Sequence, residues 1–433
     1  MLLALPSVPR NRRNQIISQL EPFAVHVRSI PGVAQLAQGK MNADDIQEID
    51  IAGLLGRESV EPNMELLNAN IKQKAVLVTG AGGSIGSELC RQIVRLEPSR
   101  LILFELGEFQ LYAIERELRK LGVECAIHPI LGSVVDKKRL TQVCQAFDVQ
   151  TIYHAAAYKH VPLVESNPGE AVRNNVLGTL NAALAAIDAK VETFVLISTD
   201  KAVRPTNTMG ATKRFAELIL QALNEDEMAV NTRFTMVRFG NVLGSSGSVV
   251  PLFREQIAHG GPITVTDKNI IRYFMTIPEA AELVIQAGAM GRGGDVFLLD
   301  MGDPVHIVDL AKKTIRLSGY TVRGEDFPDG DIEIVYTGLR PGEKLYEELL
   351  IGNNVLSTAH EKIMRAEENV IAWCDLQRLI RQLQAACDNG DFQLMREIFV
   401  TTVSGYSPQC DVVDEITLAQ AEKFKPSNIV NFK

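Results

Sequence analysis

A short apolar strand that runs directly into a glycine-rich loop constrains this fold more than any other feature. Residues 75–78 (AVLV) are followed by TGAGGSIG at residues 79–86, and a helix-forming segment comes next. Glycines at these spacings permit a tight turn, the close approach of a pyrophosphate and close packing of helix on strand, while the helix N-terminus supplies N–H donors and positive dipole. The residues predicted to contact a dinucleotide here are Gly80, Gly83, Ser84, Ile85 and Gly86.

An acidic residue stands where a dinucleotide-binding unit needs one. Glu105 lies 19 residues after Gly86 (105 − 86), at the end of the next predicted strand. A carboxylate at that position can hold the adenine ribose hydroxyls, and its charge repels the additional phosphate of NADP. A glycine-rich turn of an unrelated α/β fold is the alternative, which the combination of strand, loop, helix and acid disfavours. We therefore predict NAD rather than NADP as the cofactor.

The end of a third predicted strand fits the same cofactor. Small residues there let a dinucleotide lie against the backbone, and Lys159 can reach a ribose or a phosphate. Asn175, on the following helix, is expected to brace this loop beside the cofactor. His154 in the same strand is more typical of a structural histidine than of a catalytic one. The residues predicted to contact the cofactor in this region are Ala155, Ala156, Ala157, Lys159 and Asn175.

Strand-like and helix-like segments alternate regularly from Ala75 onwards. Apolar runs typical of buried strands recur at residues 75–78, 101–104, 151–153, 194–197 and 234–238, and helical segments at residues 87–96, 109–120, 171–186 and 213–223 lie between and after them. This alternation predicts an α/β fold, a Rossmann-type doubly wound parallel sheet with helices on both faces. After Leu243 the pattern loosens into segments punctuated by Gly and Pro, typical of a smaller C-terminal substrate-binding domain.

The length of the chain suits two or three domains. The first residues resemble the inside of an α/β unit, with strand-like residues 2–5 and 25–28 around a helical segment at 11–20. The segment 361–400 predicts two helices broken near Asn389-Gly390. The predicted division is a remnant of an upstream α/β domain (1–48), a linker and clasp leading to a short helix (49–73), an NAD-binding Rossmann domain (74–243), a mainly substrate-binding region (244–355) and a C-terminal helical tail (356–433).

Composition indicates an ordinary, mildly acidic globular protein. The chain has 44 Lys and Arg against 53 Asp and Glu, a balance that does not favour nucleic acid as a partner. Six scattered cysteines without metal-ligand or Cys-x-x-Cys spacing predict a reducing compartment and no metal site. No apolar run approaches the roughly 18 to 20 residues that cross a bilayer, so the chain as given is expected to be soluble and cytoplasmic.

A methionine interrupts an otherwise regular catalytic pattern. Residues 198–201 (STDK) and the later Met209 and Lys213 have the layout of a short-chain dehydrogenase site, in which a tyrosine normally stands four residues before the lysine. A thioether cannot lose a proton, so either the protein is inactive or other groups carry the chemistry. Lys213 shares a helix face with Met209 and is expected to hydrogen-bond the nicotinamide ribose. The predicted catalytic residues are Thr199, Asp200, Lys201, Met209 and Lys213.

Five longer motifs resemble one family. The runs TGAGGSIGSEL, YHAAAYKHVPLVE, STDKAVRPTNTMGATKR, RFGNVLGSSGSVVPLF and YTGLRPGEKLYEELL are similar to the extended short-chain dehydrogenase/reductases. Within them, they resemble the long, membrane-anchored subgroup of bacterial nucleotide-sugar 4,6-dehydratases that act on UDP-N-acetylglucosamine. The resemblance covers residues 50 to about 350. Methionine replaces the tyrosine in that subgroup, so the resemblance turns Met209 into a marker of it.

The resemblance implies a reaction without net oxidation. Hydride passes from carbon 4 of the hexose to NAD, the carbon 5 proton is removed, water leaves from carbon 6, and hydride returns to carbon 6. Lys201 is then the base at carbon 5, its amine made available by burial and by nearby positive charge. Asp200 is the acid that protonates the departing hydroxyl, and Thr199 hydrogen-bonds the carbon 4 oxygen. The substrate contacts that the resemblance implies are Lys159, Asn241, Arg272, Arg340 and Glu343, whose groups suit a diphosphate and a ribose.

Two other functions stay open at this point. A carbon 4 epimerase shares the fold but usually relies on the tyrosine, and a silent NAD-binding scaffold or sensor would leave Asp200 and Lys201 without a role. By analogy with the superfamily, the protein is expected to form a homodimer or a larger homo-oligomer. The natural protein is expected to carry an upstream membrane anchor absent from this chain, which would hold it at the cytoplasmic face of the bacterial inner membrane.

Overall fold

A nine-stranded β-sheet forms the centre of the computed structural model, which describes residues 1–3, 5, 8, 10–29, 47–48, 60–226, 231–324, 327–348, 355–411 and 414–423. Its strands are β1 (Ala75–Thr79), β2 (Arg100–Glu105), β3 (Ala126–Leu131), β4 (Thr151–His154), β5 (Thr193–Ile197), β6 (Arg233–Arg238), β7 (Asp295–Leu299), β8 (Val355–Ser357) and β9 (Ile363–Ala366). They lie side by side in the order β8-β9-β7-β6-β5-β4-β1-β2-β3.

The strand order is that of a doubly wound dinucleotide-binding fold. Strands β1 to β7 are mutually parallel, and the order 3-2-1-4-5-6 changes direction between β1 and β4. Strand β9 is antiparallel to both of its neighbours, β7 and β8. The predicted Rossmann-type α/β architecture is therefore confirmed. Open sheets of this kind bind ligands outside the carboxyl ends of their strands, near the point where the order reverses.

Helices cover both faces of the sheet because successive strand residues are apolar on both sides. Leu77 and Phe194 belong to one buried cluster, and their neighbours Val76 and Val195 belong to the other. The principal helices are α1 (Ser84–Ile93), α2 (Glu108–Arg119), α3 (Lys137–Ala146), α4 (Gly178–Asp188), α5 (Thr208–Glu225), α6 (Ile277–Met290), α7 (Trp373–Asn389) and α8 (Phe392–Thr402). Helices α3, α4, α5, α7 and α8 pack on the first face, and α1, α2, α6 and the short helix Met64–Ala69 pack on the second.

A separate, smaller core lies in the region that follows β6. Helices Val249–Ala258 and Ile307–Leu317 bury Phe253 and Ile315 against short strands. The short strands pair as Asn241–Leu243 with Phe274–Thr276, Ile263–Val265 with Ile332–Tyr336, Val322–Arg323 with Ile332–Tyr336, and Ile271–Arg272 with Val305–His306. This part of the chain corresponds to the smaller region that the looser sequence pattern predicted.

The central sheet contains strands from a larger part of the chain than the sequence pattern predicted. Strands β7, β8 and β9 come from residues beyond 243, so the sheet is not confined to residues 74–243. Residues 356–433 are not wholly helical, because β9 and most of β8 fall within them. Strand β3 and helix α3 were not predicted. The predicted break between two C-terminal helices is confirmed by α7, which ends at Asn389, and α8, which starts at Phe392.

The helix predicted at residues 171–186 is divided in three. Pro168–Ala171 forms a first turn, Val172–Leu177 is a π-helix, and α4 completes the element. A π-helical turn shifts the side chains that follow it and occurs often at functional sites. The shift matters here because Asn175 lies inside the π-helical turn.

The N-terminal residues form a small unit. Leu2–Leu3, Arg28–Ser29 and Gln47–Glu48 pair as three short strands, and helix Arg10–Leu20 lies between the first two in the chain. The strand predicted at residues 25–28 is displaced to Arg28–Ser29. Residues 49–59 of the predicted linker and clasp (49–73) fall outside the described residues. Within the described ranges, no helix combines the length and the apolar character that crossing a bilayer requires.

Candidate active site

Gly80 and Gly86 are two of the positions in the loop between β1 and α1 where only glycine fits. Gly80 has a φ of +62°, and a Cβ there would lie 2.8 Å from the backbone nitrogen of Ala156. A Cβ on Gly86 would lie 1.9 Å from the carbonyl oxygen of Gly80. Gly83 precedes α1 without a side-chain cap, so the first N–H groups of the helix, at Ser84 and Ile85, point towards whatever anion the loop holds. This cradle fits the pyrophosphate of a dinucleotide.

Glu105 ties the ends of two neighbouring strands together. Its Oε2 accepts a hydrogen bond from the backbone N–H of Gly82 (2.9 Å), and its Oε1 accepts from the N–H groups of Leu106 (2.9 Å) and Gly107 (3.0 Å). The carboxylate therefore holds the glycine loop in place from β2. Its predicted contact with an adenine ribose remains a prediction, for which a carboxylate with about four acceptor positions has capacity left.

The loop that follows β4 is clamped by Asn175. The Asn175 amide accepts from the backbone N–H of Tyr158 (2.8 Å) and donates to the Tyr158 carbonyl (2.9 Å) and to Thr212 Oγ1 of α5 (3.1 Å). Asn175 is fully buried, so the structure supports the bracing role predicted for it. Residues 155–157 are half-buried beside Gly80, and Lys159 is exposed in the same loop.

His154 is structural. Its Nδ1 lies 2.8 Å from Thr79 Oγ1 and its Nε2 lies 3.2 Å from Thr179 Oγ1. The Thr179 hydroxyl donates to the Asn175 carbonyl (2.7 Å), so it accepts from Nε2–H, and Nδ1 in turn accepts from Thr79. Burial, aided by the charge of Lys213, lowers the pKa of His154 to about 3. The histidine is therefore neutral, as its predicted structural role requires.

The predicted acid and base form a hydrogen-bonded pair at the carboxyl end of β5. Asp200 is 2% exposed, and its Oδ1 accepts from Lys201 Nζ (3.0 Å) and from Thr199 Oγ1 (2.9 Å). Its other oxygen, Oδ2, is buried and has no hydrogen-bond partner among the described residues. A buried acceptor without a partner is costly, so this atom marks a position where a donor from a ligand is expected.

The groups around Lys201 favour its ammonium form. Burial lowers the pKa of its amine, but the attraction of Asp200 and Glu347 outweighs burial and leaves the pKa raised. Burial alone therefore does not make this amine available, and the predicted effect of neighbouring positive charge stays a prediction. The physical reason is that two carboxylates meet the ammonium group, at 3.0 Å and 3.9 Å.

Lys213 and Met209 follow on α5. Lys213 is 4% exposed, and its ammonium group makes no hydrogen bond or salt bridge to any described residue. Burial lowers its pKa to about 8, although Glu217 opposes the shift. Met209 is 3% exposed and packs with Val164 and Ala171, so the methionine at the usual tyrosine position fills an apolar pocket.

Three of the predicted substrate residues gather beside Lys201. Asn241 Oδ1 accepts from Lys201 Nζ (3.3 Å), and Arg272 donates to Glu343 Oε1 (3.2 Å). Arg272 is only 8% exposed, and its guanidinium also donates to the carbonyl of Ile271 (2.7 Å). The guanidinium group of Arg272 is thus already hydrogen-bonded to other residues of the site. The side chain of Arg340 is exposed, and its backbone N–H donates to Glu343 Oε2 (3.1 Å).

Sequence reasoning missed Glu347. This carboxylate is 7% exposed and lies 3.9 Å from Lys201 Nζ and 4.0 Å from Arg272 Nε. Burial raises its pKa against the opposing attraction of Lys201. Glu347 lies in the run YTGLRPGEKLYEELL. Residues 343–348 are neither helical nor extended, so no periodicity indicated that this carboxylate points into the site.

The segment that carries Glu347 is anchored to the turn after Lys201. The carbonyl of Gly342 accepts from Thr206 Oγ1 (3.2 Å) and Asn207 Nδ2 (3.0 Å). Lys344 Nζ donates to the carbonyls of Val203 (3.3 Å) and Arg204 (2.9 Å). These bonds hold the segment with Glu347 against the turn that follows Lys201.

A buried ion network lies behind the predicted catalytic residues, and it too was missed. Glu217 is fully buried and accepts from Ser198 Oγ (2.6 Å), Arg238 Nε (2.8 Å) and Arg214 Nη1 (3.1 Å). Glu368, which follows β9, pairs with both arginines, at 2.5 Å and 3.1 Å. The network connects α5, β6 and the C-terminal edge of the sheet to Ser198, the residue before Thr199.

Comparison with known proteins identifies the family. Residues 76–368 match the family described as polysaccharide biosynthesis protein. The chain is 48% identical over 369 residues to the capsular polysaccharide biosynthesis protein CapD of Staphylococcus aureus, a match that covers 85% of this chain and 60% of CapD. It is 47% identical over 356 residues to the probable polysaccharide biosynthesis protein EpsC of Bacillus subtilis, covering 82% and 58%. The chain thus spans less than two thirds of the length of these relatives.

Relatives named for a reaction are more distant. A UDP-N-acetylglucosamine 4,6-dehydratase (inverting) of Campylobacter jejuni is 31% identical over 283 residues, covering 64% of this chain and 78% of that protein. A UDP-glucose 4-epimerase of Rickettsia massiliae is 31% identical over 281 residues, covering 64% and 77%. The crystal structure of Pen from Bacillus thuringiensis is similar with a TM-score of 0.62 at 32% identity, covering 72% and 98%. Because the family match covers more than half of its residues, the chain belongs to the polysaccharide biosynthesis protein family of the extended short-chain dehydrogenase/reductase superfamily.

Proposed function

We propose that the chain is the catalytic part of an NAD-dependent 4,6-dehydratase that acts on UDP-N-acetylglucosamine in polysaccharide biosynthesis. The observation that carries the proposal is the Asp200–Lys201 pair at the end of β5, with Asp200 Oδ2 buried and without a partner. A dehydration across carbons 5 and 6 needs one base and one acid side by side, and this pair supplies both. The named dehydratase of Campylobacter jejuni supports the choice of reaction and substrate.

The cofactor would occupy the cradle at Gly80 and Gly86, which fits a pyrophosphate. Glu105 would hold the adenine ribose, and its charge favours NAD over NADP. Lys213, which is 4% exposed, would donate to the nicotinamide ribose. When bound, NAD accepts hydride from carbon 4 of the sugar and returns it to carbon 6.

The carbon 4 hydroxyl must lose a proton, and Met209 cannot take it. Thr199 Oγ1 donates to Asp200 Oδ1 at 2.9 Å, so Thr199 can pass a proton from the sugar to Asp200. We assign the relay from the carbon 4 hydroxyl through Thr199 to Asp200. The relay leaves Asp200 protonated, which is the state that its next role requires.

The elimination then uses both members of the pair. The neutral amine of Lys201 takes the proton from carbon 5, and protonated Asp200 gives its proton to the carbon 6 hydroxyl, which leaves as water. Lys201 then delivers one of its solvent-exchangeable ammonium protons to carbon 5 as hydride reaches carbon 6. The departing water thus contains the carbon 6 hydroxyl and the proton from Asp200, and the carbon 4 hydroxyl proton replaces the one that Thr199 passed on, so atoms and charge balance.

The uridine diphosphate would meet the surface at Arg340 and Glu343, with Lys159 on the opposite loop. Arg340 is exposed and carries a guanidinium suited to a diphosphate. Arg272 is already engaged by Glu343 and by backbone carbonyls, so we assign it to the wall of the site instead of to the diphosphate.

A carbon 4 epimerase is the second candidate, because a named epimerase is as similar to the chain as the named dehydratase. The protein is incubated with UDP-N-acetylglucosamine in deuterated water without added cofactor, and the product is analysed by mass spectrometry and NMR. Loss of one water with deuterium at carbon 5 supports the dehydratase. An isomer of unchanged mass indicates the epimerase, and unaltered substrate would refute both enzymes.

Variants sharpen this experiment. Lys201→Ala is expected to abolish turnover, because no other amine lies beside Asp200 in the described part of the chain. Lys74→Ala is the matched control, since Lys74 pairs with Glu192 at the opposite, amino end of the sheet. A Lys201→Ala protein with full turnover would contradict the assigned role.

A further inference from the structure

Three oxygen atoms surround the amine of Lys201. Asp200 Oδ1 lies at 3.0 Å, Asn241 Oδ1 at 3.3 Å and Glu347 Oε1 at 3.9 Å from Nζ. The side chain of Glu347 is only 4% exposed and is held between Lys201 and Arg272. The proposed function assigns work to Asp200 and Lys201, but it leaves this second buried carboxylate without a role.

The proposed proton transfers leave the ammonium proton of Lys201 without an acceptor, and Glu347 can be that acceptor. Lys201 can take the carbon 5 proton only as a neutral amine, yet two carboxylates favour its ammonium form. By that stage Asp200 has received the carbon 4 proton and cannot accept another. Among the described residues, Glu347 is the one other carboxylate within 4 Å of the ammonium group.

We propose that Glu347 is a positioning residue that takes the ammonium proton of Lys201 once Asp200 is protonated, and returns it when the cycle ends. The inference rests on the proposed function. One bridging water or a small rotation of the carboxylate closes the 3.9 Å separation. Lys201 then takes the carbon 5 proton and later delivers one ammonium proton to carbon 5, after which Glu347 returns its proton to Lys201. No proton is gained or lost over the cycle.

The charged groups around this pair favour the transfer. Burial disfavours the ionised form of Glu347, and protonation of Asp200 removes one of the two charges that hold the Lys201 proton. Arg272 faces both groups, at 4.0 Å from Glu347, but Glu343 pairs with it at 3.2 Å. Lys344 also faces Glu347, and its ammonium is tied to backbone carbonyls and to Glu348 at 3.5 Å.

The pH dependence of kcat tests the transfer. In the unaltered protein the proton moves between two groups of the site, so kcat is expected to be flat around neutral pH. In Glu347→Gln the proton must leave to solvent, so kcat is expected to rise by about tenfold per pH unit below the titration of Lys201. Glu347→Asp keeps the acceptor and should restore the flat profile, although with a lower kcat. A flat profile for Glu347→Gln would overturn the inference.

Glu348→Gln is the matched control, because Glu348 lies next in the chain but pairs with Arg204 and Lys344 instead of Lys201. Its kcat profile should stay flat. Circular dichroism melting of each variant separates loss of fold from loss of the acceptor.

A second measurement does not depend on turnover. Trace labelling with acetic anhydride at a series of pH values, read from the Lys201 peptide by mass spectrometry, reports the titration of the amine. Removal of a negative charge should lower the labelling midpoint in Glu347→Gln by about 1 to 3 pH units, and Glu348→Gln should leave it unchanged. An unmoved midpoint in Glu347→Gln would overturn the inference. A shifted midpoint in a protein that dehydrates no sugar would leave the Lys201–Glu347 coupling supported and the proposed function refuted.

Discussion

Replacement of Glu217 by glutamine tests whether the buried ion network supports the active site. Glu217 is fully buried and accepts from two arginines and from Ser198. Glutamine keeps the shape of the side chain but removes its charge, so the guanidinium groups of Arg214 and Arg238 lose one of their two carboxylate partners. Removal of one partner from a buried ion pair costs roughly 3 to 5 kcal/mol.

The lowered pKa of Glu217 gives an independent value for the free energy of unfolding that this carboxylate contributes. Burial alone would raise this pKa, but Arg238 and Arg214 outweigh burial and lower it from 4.5 to about 2. At about 1.36 kcal/mol per pH unit, the fall of this pKa from 4.5 to about 2 corresponds to about 3 kcal/mol of stability. Because the folded pKa is depressed, this contribution is present above pH 4.5 and is lost as the pH falls through 2. We therefore expect Glu217→Gln to lower the free energy of unfolding at pH 7 by about 3 kcal/mol.

Urea unfolding followed by circular dichroism measures this loss. The matched control is Glu117→Gln, because Glu117 pairs with Arg91 at a side chain that is 47% exposed, and exposed pairs contribute less than about 1 kcal/mol. The difference between the unaltered protein and Glu217→Gln should narrow as the pH is lowered from 4.5. If Glu217→Gln were as stable as the control at pH 7, the reasoning about the network would be wrong.

Three further changes have expected outcomes. Lys213→Met should raise the melting temperature of the cofactor-free protein and abolish turnover, because it removes a charge from a side chain that is 4% exposed and whose pKa burial lowers to about 8; thermal shift and product assays check both. Gly86→Ala should abolish NAD binding in a calorimetric titration, since its Cβ would overlap a carbonyl oxygen at 1.9 Å, whereas Gly324→Ala meets nothing within 4 Å and should bind normally. Met209→Ala should lower turnover only modestly and Asp200→Asn should abolish it, and the reverse order would contradict the assigned roles.

The features of the site that could be predicted are those that depend on residues close together in the chain. Gly80 has a positive φ, and at Gly86 a neighbouring atom is too close for a Cβ. Both conditions require glycine, so the residue type itself indicates them. The apolar strands that precede the loop and the catalytic turn are continuous runs, so their carboxyl ends could be located from the chain alone. For the same reason the Rossmann-type sheet and most of its strands were predicted.

The part that could not be predicted depends on residues far apart in the chain. Strands β8 and β9 are short and half exposed, so their sequences lack the apolar run that marked the inner strands. Glu347 reaches Lys201 only because Gly342 and Lys344 bind the turn after Lys201. No spacing in the sequence indicates such contacts.

The residue types by themselves determined the doubly wound fold, the glycine-rich cradle and the position of Asp200 and Lys201 at the end of β5, because short-range sterics and hydrophobic periodicity govern those features. Only the tertiary structure decided the charge of each group. Lys201 has a raised pKa, Lys213 has a lowered one, and Glu217 is ionised in the core. The physical reason is that a pKa depends on burial and on the charges within a few ångströms, and the folded chain brings those charges together from distant segments.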